Sequence, residues 1–236
     1  MQSKSLHPLL NYFFPRLCIG CNTPGVYICA TCSKRIRECS TQKCYKCHKP
    51  SPYGLVHWGC KTHSSLLGVF SLFLYRGVGG RVIKYAKYRR QQEVVSDLFS
   101  CISHTTQSQL YDFIVYSKPN VFIPVPLHKN TLNMRGFNQS ARFSQNITQL
   151  FGVPTASIFE KLSEREPQSK MSQSMRVKNV RGAYRINPRN TTLLKEKTVC
   201  IVDDVITTGA TLEDLLRLLR PLSKRVFGIT LLRSFK

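Results

Sequence analysis

Acidic side chains are scarce in this sequence: 12 Asp and Glu stand against 35 Lys and Arg, for a formal charge of +23 at pH 7. Such a balance argues against an acidic, self-solvating chain and favours polyanionic partners: nucleic acid, phosphorylated ligands or an anionic membrane surface. A solvated basic surface would give the same sum. Long apolar runs are missing as well, so no segment approaches the ~20 residues of a membrane span. The apolar patch of Leu9, Leu10, Tyr12, Phe13 and Phe14 is interrupted by Asn11 and Pro15, and Cys18 follows with no small-residue cleavage site. It does not read as a secretory signal, and a cytoplasmic location is expected. No internal repeat is visible outside the cysteine pairs.

Two stretches lack acids altogether. Between residues 76 and 90 stand Arg76, Arg81, Lys84, Lys87, Arg89 and Arg90; between 168 and 189 stand Lys170, Arg176, Lys178, Arg181, Arg185 and Arg189. Tyr75, Tyr85 and Tyr88 interleave with the first stretch. Cations that track phosphates beside rings that stack on bases are what single-stranded nucleic acid requires, so Arg81, Lys84, Arg89, Arg90, Lys170, Arg176, Lys178 and Arg181 are nucleic-acid candidates. The same tyrosines serve equally well as core residues.

What the chain does have is cysteine, concentrated at one end: eight of its ten precede residue 61. Cys18/Cys21, Cys29/Cys32 and Cys44/Cys47 are Cys-x-x-Cys pairs, and Cys60/His63 is a Cys-x-x-His pair. Two intervening residues let both side chains of a tight knuckle face one ion. Disulfides do not suit a cytoplasmic protein, and a redox pair occurs once rather than repeatedly. The sequential assignment puts Cys18, Cys21, Cys29 and Cys32 around one Zn²⁺, and Cys44, Cys47, Cys60 and His63 around a second. An interleaved pairing stays open, as does a single zinc with spare thiols. His57 competes with His63, and Cys39 is unassigned. The role is structural, since all ligands come from protein and none is left open for water, and with few aliphatic residues here metal would replace a core.

The run Val199-Cys200-Ile201-Val202-Asp203-Asp204-Val205-Ile206-Thr207-Thr208-Gly209-Ala210-Thr211 reads as a buried strand, two carboxylates, a hydroxyl- and glycine-rich turn and a helix start. Strand C-termini beside helix N-termini are where open α/β sheets bind ligands, and free N–H groups there suit a phosphate. Ionised carboxylates only accept hydrogen bonds, so Asp203 and Asp204 suit sugar hydroxyls. Elsewhere, Leu67–Tyr75 reads as a strand, Val78–Tyr88 and Glu93–His104 as helices, and Asp112–Tyr116 and Val121–Val125 as short apolar runs. Gly136–Leu150 reads as a helix, Val199–Asp203 and Val226–Leu232 as strands, and Glu164–Arg189 as a long loop. Strands alternating with helices indicate a doubly wound parallel sheet.

The 13-residue run resembles the signature of type I phosphoribosyltransferases, which bind phosphoribosyl pyrophosphate (PRPP). Pro124-Val125-Pro126-Leu127-His128, Met134-Arg135-Gly136-Phe137-Asn138-Gln139, Lys87-Tyr88-Arg89, and Pro167-Gln168 with Arg176 and Asn179–Tyr184 resemble the ComF family of competence-associated proteins. That resemblance covers about residues 9 to 235. It implies a small zinc-ribbon domain (1–63) followed by a type I phosphoribosyltransferase-like domain (64–236). The His63 position departs from the family's usual cysteine.

By resemblance, Asp203 and Asp204 hold the ribose hydroxyls, and Ile206, Thr207, Thr208, Gly209, Ala210 and Thr211 cradle the 5-phosphate, with Val205 inside the same signature. Pro124–Leu127 faces the pyrophosphate, with Val125, Leu127 and His128 as backbone donors because Pro126 has no N–H. Lys87 and Arg135 neutralise its charge, Mg²⁺ accompanies PRPP, and Glu164–Arg189 forms a lid. The implied function is PRPP binding and single-stranded DNA handling during natural transformation, beside a competence helicase or DNA-processing proteins. The alternative is active phosphoribosyl transfer to an unidentified acceptor.

Overall fold

In chain order the main elements are β1 (Val69–Leu74), α1 (Gly77–Arg89), α2 (Glu93–Phe99), α3 (His104–Ser117), β2 (Val121–Pro124), α4 (Lys129–Arg135), α5 (Gln139–Phe151), β3 (Phe159–Lys161), β4 (Tyr184–Ile186), β5 (Thr198–Ile206), α6 (Ala210–Leu219) and β6 (Arg225–Arg233). The structure, a computed structural model, describes residues 15–63, 65–162, 183–187, 191–192 and 194–234. The strand order β1-β6-β5-β2 forms a sheet in which every pairing is parallel, and β3 and β4 form a separate antiparallel pair.

Central β5 is covered on both faces, which is why it opens with an unbroken apolar stretch. Its side chains alternate between two cores. Cys200 and Val202 pack with α1, α2, α3 and α5 through residues such as Val82, Leu98, Phe113 and Phe143. Val199 and Ile201 pack with α6 through Leu212, Leu215 and Leu219, and with Phe159 and Tyr184 of the small β pair. Helices on both faces of a parallel sheet fulfil the doubly wound expectation. Among the described residues no helix is long and apolar enough to cross a membrane.

Three expectations change. The short apolar run Asp112–Tyr116 is not a separate element but the end of α3, whose buried positions Thr106, Leu110, Phe113 and Ser117 follow helical spacing while Val115 and Tyr116 stay exposed. The helix expected over Glu93–His104 stops at Phe99, because Ser103 caps α3 by accepting from Thr106 N–H. Gly136, expected inside a helix, closes α4 in a left-handed turn (φ 77°), and Asn138 then caps α5 by accepting from Ser140 and Ala141 N–H. Most of Glu164–Arg189 lies outside the described residues; its Tyr184–Ile186 portion is β4.

The cysteine-rich segment packs directly on the sheet. Cys39 N–H donates to Leu72 O and Leu74 N–H to Arg37 O, both at 2.8 Å, so residues 37–39 cover the free edge of β1. Glu38 accepts from Ser103 N–H and Oγ at 2.6 Å each and from the Thr106 hydroxyl, joining that edge to the start of α3.

Candidate functional site

The end of β5 carries the acid pair into a cleft of about 390 Å³ between β2, α1, α6 and the β3–β4 pair. Successive strand residues face opposite ways, and the two carboxylates meet different partners. Asp203 is buried, accepting from Ser140 Oγ at 3.1 Å and Asp204 N–H at 2.8 Å. Asp204 is paired with Lys87 Nζ at 2.7 Å. Gly209 then takes φ 84° and begins α6, a conformation that disfavours other residues and turns the helix N-terminus toward the cleft.

Burial first, then the Asp204 carboxylate, push the Asp203 carboxyl up to about 7, against the opposing pull of Asp204 N–H, Lys87 and Ser140. A carboxyl ionising near 7 when folded but near 3.8 otherwise contributes stability below the lower value, and this is lost as pH rises through the higher. Asp203→Asn is therefore expected to raise the melting temperature at pH 8 by about 2–4 °C and to change it little at pH 4. Calorimetric scans at both pH values check this; a lower melting temperature at pH 8 would contradict it.

Of the residues expected here, Lys87, Val125, Leu127, Asp203, Asp204, Val205, Thr207 and Thr211 line the cleft. Ile206, Thr208, Gly209 and Ala210 shape the turn behind them, with Thr208 Oγ1 accepting from Ala210 N–H at 3.4 Å. One role needs correction: Val125 N–H donates to Val202 O at 2.9 Å, extending the sheet, and is not available to a ligand. The His128 ring caps α4, accepting from Asn130 N–H, and Arg135 stands in the last turn of α4 with Nη1 at 3.5 Å from Gln139 Oε1.

The sequence reading missed Lys161, Ser234 and Tyr184 as cleft residues, and Tyr75 lines the cleft as well. Tyr184 ended one of the family-like segments, so a signal existed for it. None existed for Lys161 or Ser234. Asn138, also within such a segment, ties the cleft together by donating from Nδ2 to Val125 O at 2.9 Å.

Two clusters gather metal-type ligands, each with its donor atoms within 4.8 Å of one another: Cys18, Cys21, Cys29 and Cys32, and Cys44, Cys47, His57 and Cys60. The donor sets, four sulfurs and three sulfurs with one imidazole, fit tetrahedral Zn²⁺. Burial raises the Cys18 thiol, but N–H groups of Cys29, Gly20 and Cys21 outweigh it and bring it down to about 6. His57 replaces the expected His63. Its Nδ1 lies 3.2 Å from Cys47 Sγ while Nε2 lies 3.1 Å from Pro50 O, the carbonyl contact that orients a metal-binding imidazole. His63 is instead held by Arg220, whose Nη2 lies 3.1 Å from its Nδ1. Cys39 belongs to neither cluster, and burial raises its thiol to about 12.

On α1, Arg81, Lys84 and Tyr88 form an exposed stripe at helical spacing, continued by Arg89 and Arg90. Arg81 Nη2 donates to Gly20 O at 3.3 Å and Arg90 Nε to Met134 O at 2.8 Å. Tyr85 is half-buried and packs against Tyr27 at the edge of the core, ring centroids 5.9 Å apart. Lys170, Arg176, Lys178 and Arg181 lie outside the described residues.

A phosphoribosyl transferase domain model matches residues 138–232, from the cap of α5 through β6. The chain is 32% identical over 105 residues to Competence protein F of Haemophilus influenzae, a match covering 44% of this chain and 45% of that one. It is 25% identical over 220 residues to Competence protein ComFC of Bacillus subtilis, covering 89% of this chain and 86% of the relative. DNA utilization protein YhgH of Salmonella typhimurium is 25% identical over 219 residues, covering 87% and 91%. Together these matches support assigning the chain to the ComF family of competence-related proteins with a phosphoribosyltransferase-like domain.

Proposed function

We propose that this protein binds PRPP together with Mg²⁺ in the cleft at the end of β5 and handles single-stranded DNA in the cytoplasm during natural transformation. In this reading residues 1–63 form a zinc-stabilised unit and 64–236 the ligand-binding unit. The observation that carries it is convergence: the acid pair with Thr207 and Thr211, Lys87, and Leu127 come from three separate segments and line one cleft. Asp203 and Asp204 supply acceptors for the ribose hydroxyls, and the N–H groups and hydroxyls at the start of α6 supply donors for the 5-phosphate. Lys87, within 2.7 Å of Asp204, is near enough to exchange that carboxylate for a pyrophosphate oxygen. Mg²⁺, which favours diphosphate oxygens, would be held mainly by the ligand. Calorimetric titration with PRPP, with and without Mg²⁺, tests this; no heat of binding in either condition would refute it.

The exposed cations of α1 and the relatives named for competence and DNA utilization support the nucleic-acid half. Replacing Lys84 and Arg89 by Ala is expected to lower the slope of log affinity against log salt for single-stranded DNA by about 1.4, at about 0.7 per phosphate contact. Filter binding across a salt series reads this slope. An unchanged slope excludes the stripe as the contact surface. Partner proteins in this reading are a helicase or other DNA-processing factors of the uptake pathway.

A second reading, phosphoribosyl transfer, is favoured by one feature: the cleft continues past the acid pair to Tyr75, Lys161, Tyr184 and Ser234, where an acceptor has room. Pyrophosphate release from PRPP across an acceptor panel separates transfer from binding alone.

A further inference from the structure

Tyr45 lies between the paired thiols Cys44 and Cys47, yet its ring is 2% exposed and belongs to the apolar cluster of α6 and β5. It covers Gly209 so closely that a Cβ there would stand 2.7 Å from Tyr45 Cδ2. The Tyr45 hydroxyl donates to Glu213 Oε1 at 2.9 Å, in the first turn of α6, and accepts from Leu66 N–H at 3.1 Å. Lys46 pairs with the same Glu213 oxygen.

The other stem of the turn is tied to the same segment. Arg233, the last residue of β6, stands in register with Ile206, the last residue of β5. Its guanidinium donates to Lys43 O at 2.5 Å and Cys44 O at 3.0 Å. Ser234 N–H donates to Ile206 O at 2.9 Å. The helix that leaves the turn is thus fastened to residues 43–46 directly, and the strand that enters it is fastened through its neighbour β6. Those residues are in turn held by the Cys44, Cys47, His57 and Cys60 cluster.

We propose that this second metal knuckle is the template of the phosphate-binding turn, with Tyr45 as the positioning residue that transmits its closure to Gly209 and Glu213. Zinc at the four ligands fixes the 43–46 backbone. Tyr45 and Lys46 then hold the start of α6 so that its N–H groups converge on one anion. Tyr45 touches no ligand itself. The proposal rests on the PRPP-binding reading for the identity of that anion, but not for the mechanical link. Because coupling between two binding sites is reciprocal, zinc tightens PRPP binding by the same factor by which PRPP tightens zinc retention.

The test uses the full-length, zinc-loaded protein, Tyr45→Leu, which removes the ring's reach and hydroxyl, and Glu213→Gln, which leaves the knuckle untouched. Zinc competition against a chromogenic chelator is measured with and without PRPP and Mg²⁺, and amide exchange over residues 206–213 is measured without ligand. PRPP is expected to raise zinc affinity about tenfold in the native protein, within the usual range for coupled sites. Tyr45→Leu is expected to abolish that effect while keeping its zinc, and both variants to speed exchange at 206–213. Zinc-loaded variants that exchange at the native rate overturn the proposal, as does PRPP binding that leaves zinc affinity unchanged. If the native protein gives no heat with PRPP, the binding reading fails alone, and the exchange experiment still decides the link.

Discussion

Stripping metal from the Cys18, Cys21, Cys29 and Cys32 cluster is expected to unfold residues 15–36 and expose the part of α1 they pack against. The first knuckle is part of the main core: Cys18 and Cys32 are fully buried, in one cluster with Tyr27, Ile36, Val82 and Phe73. Packing around it leaves no room for an alternative arrangement, since a Cβ on Gly20 would stand 2.3 Å from Cys32 Sγ. Without a cation, thiolates gathered this closely repel, and neutral thiols are weak partners for one another. Structural zinc sites contribute about 10–16 kcal/mol in small domains, so the loss should exceed that of any single side chain in the chain. Chelator titration followed by near-ultraviolet circular dichroism and amide exchange reads the result, with Cys32→Ser as the genetic counterpart. A chelated protein that keeps its native spectrum and melting temperature would show that the thiols pack without an ion.

Replacing Asp203 and Asp204 together by Ala is expected to weaken PRPP binding by at least about 100-fold. Hydrogen bonds to charged groups contribute roughly 1.5–3 kcal/mol each, and two of them span roughly 3–6 kcal/mol. The double change also frees Lys87 and leaves Ser140 and the residue-204 N–H without their acceptor. The fold should survive, because the Asp203 carboxyl is already pushed up to about 7 by burial and by Asp204, and its removal relieves a strained charge. Calorimetry for PRPP alongside thermal melting separates the two effects. Undiminished affinity in a folded double variant would move the ribose site elsewhere.

Much of the architecture was legible because it depends on local pattern. The apolar run before Asp203 is too short for a buried helix and too continuous for a half-exposed strand, and it became β5 at the centre of the sheet. The Cys-x-x-Cys spacing placed six of the eight clustered side chains, because two-residue spacing decides which thiols share a knuckle, and Cys60 followed from its Cys-x-x-His pair. The eighth was not legible. His57 and His63 both lie near Cys60 in sequence, and the choice depends on Pro50 O orienting one ring and Arg220 holding the other. Similarly, Val125 looked like a free donor until Val202 O on the neighbouring strand took its N–H.

The sequence by itself determined the alternation of strands and helices, the paired metal ligands and the acid pair at a strand end. Each of these is set by side-chain period or by spacing within a few residues. Tertiary structure alone decided which distant groups meet. It brought Lys87 to Asp204 and Ser140 to Asp203, and placed Tyr184 and Lys161 beside them. It also seated the Tyr45 knuckle behind Gly209. The hydrogen bonds and the ion pair among these contacts join residues 63 to 168 positions apart, and their geometry comes from how the sheet and its covering layers pack, which no local pattern encodes.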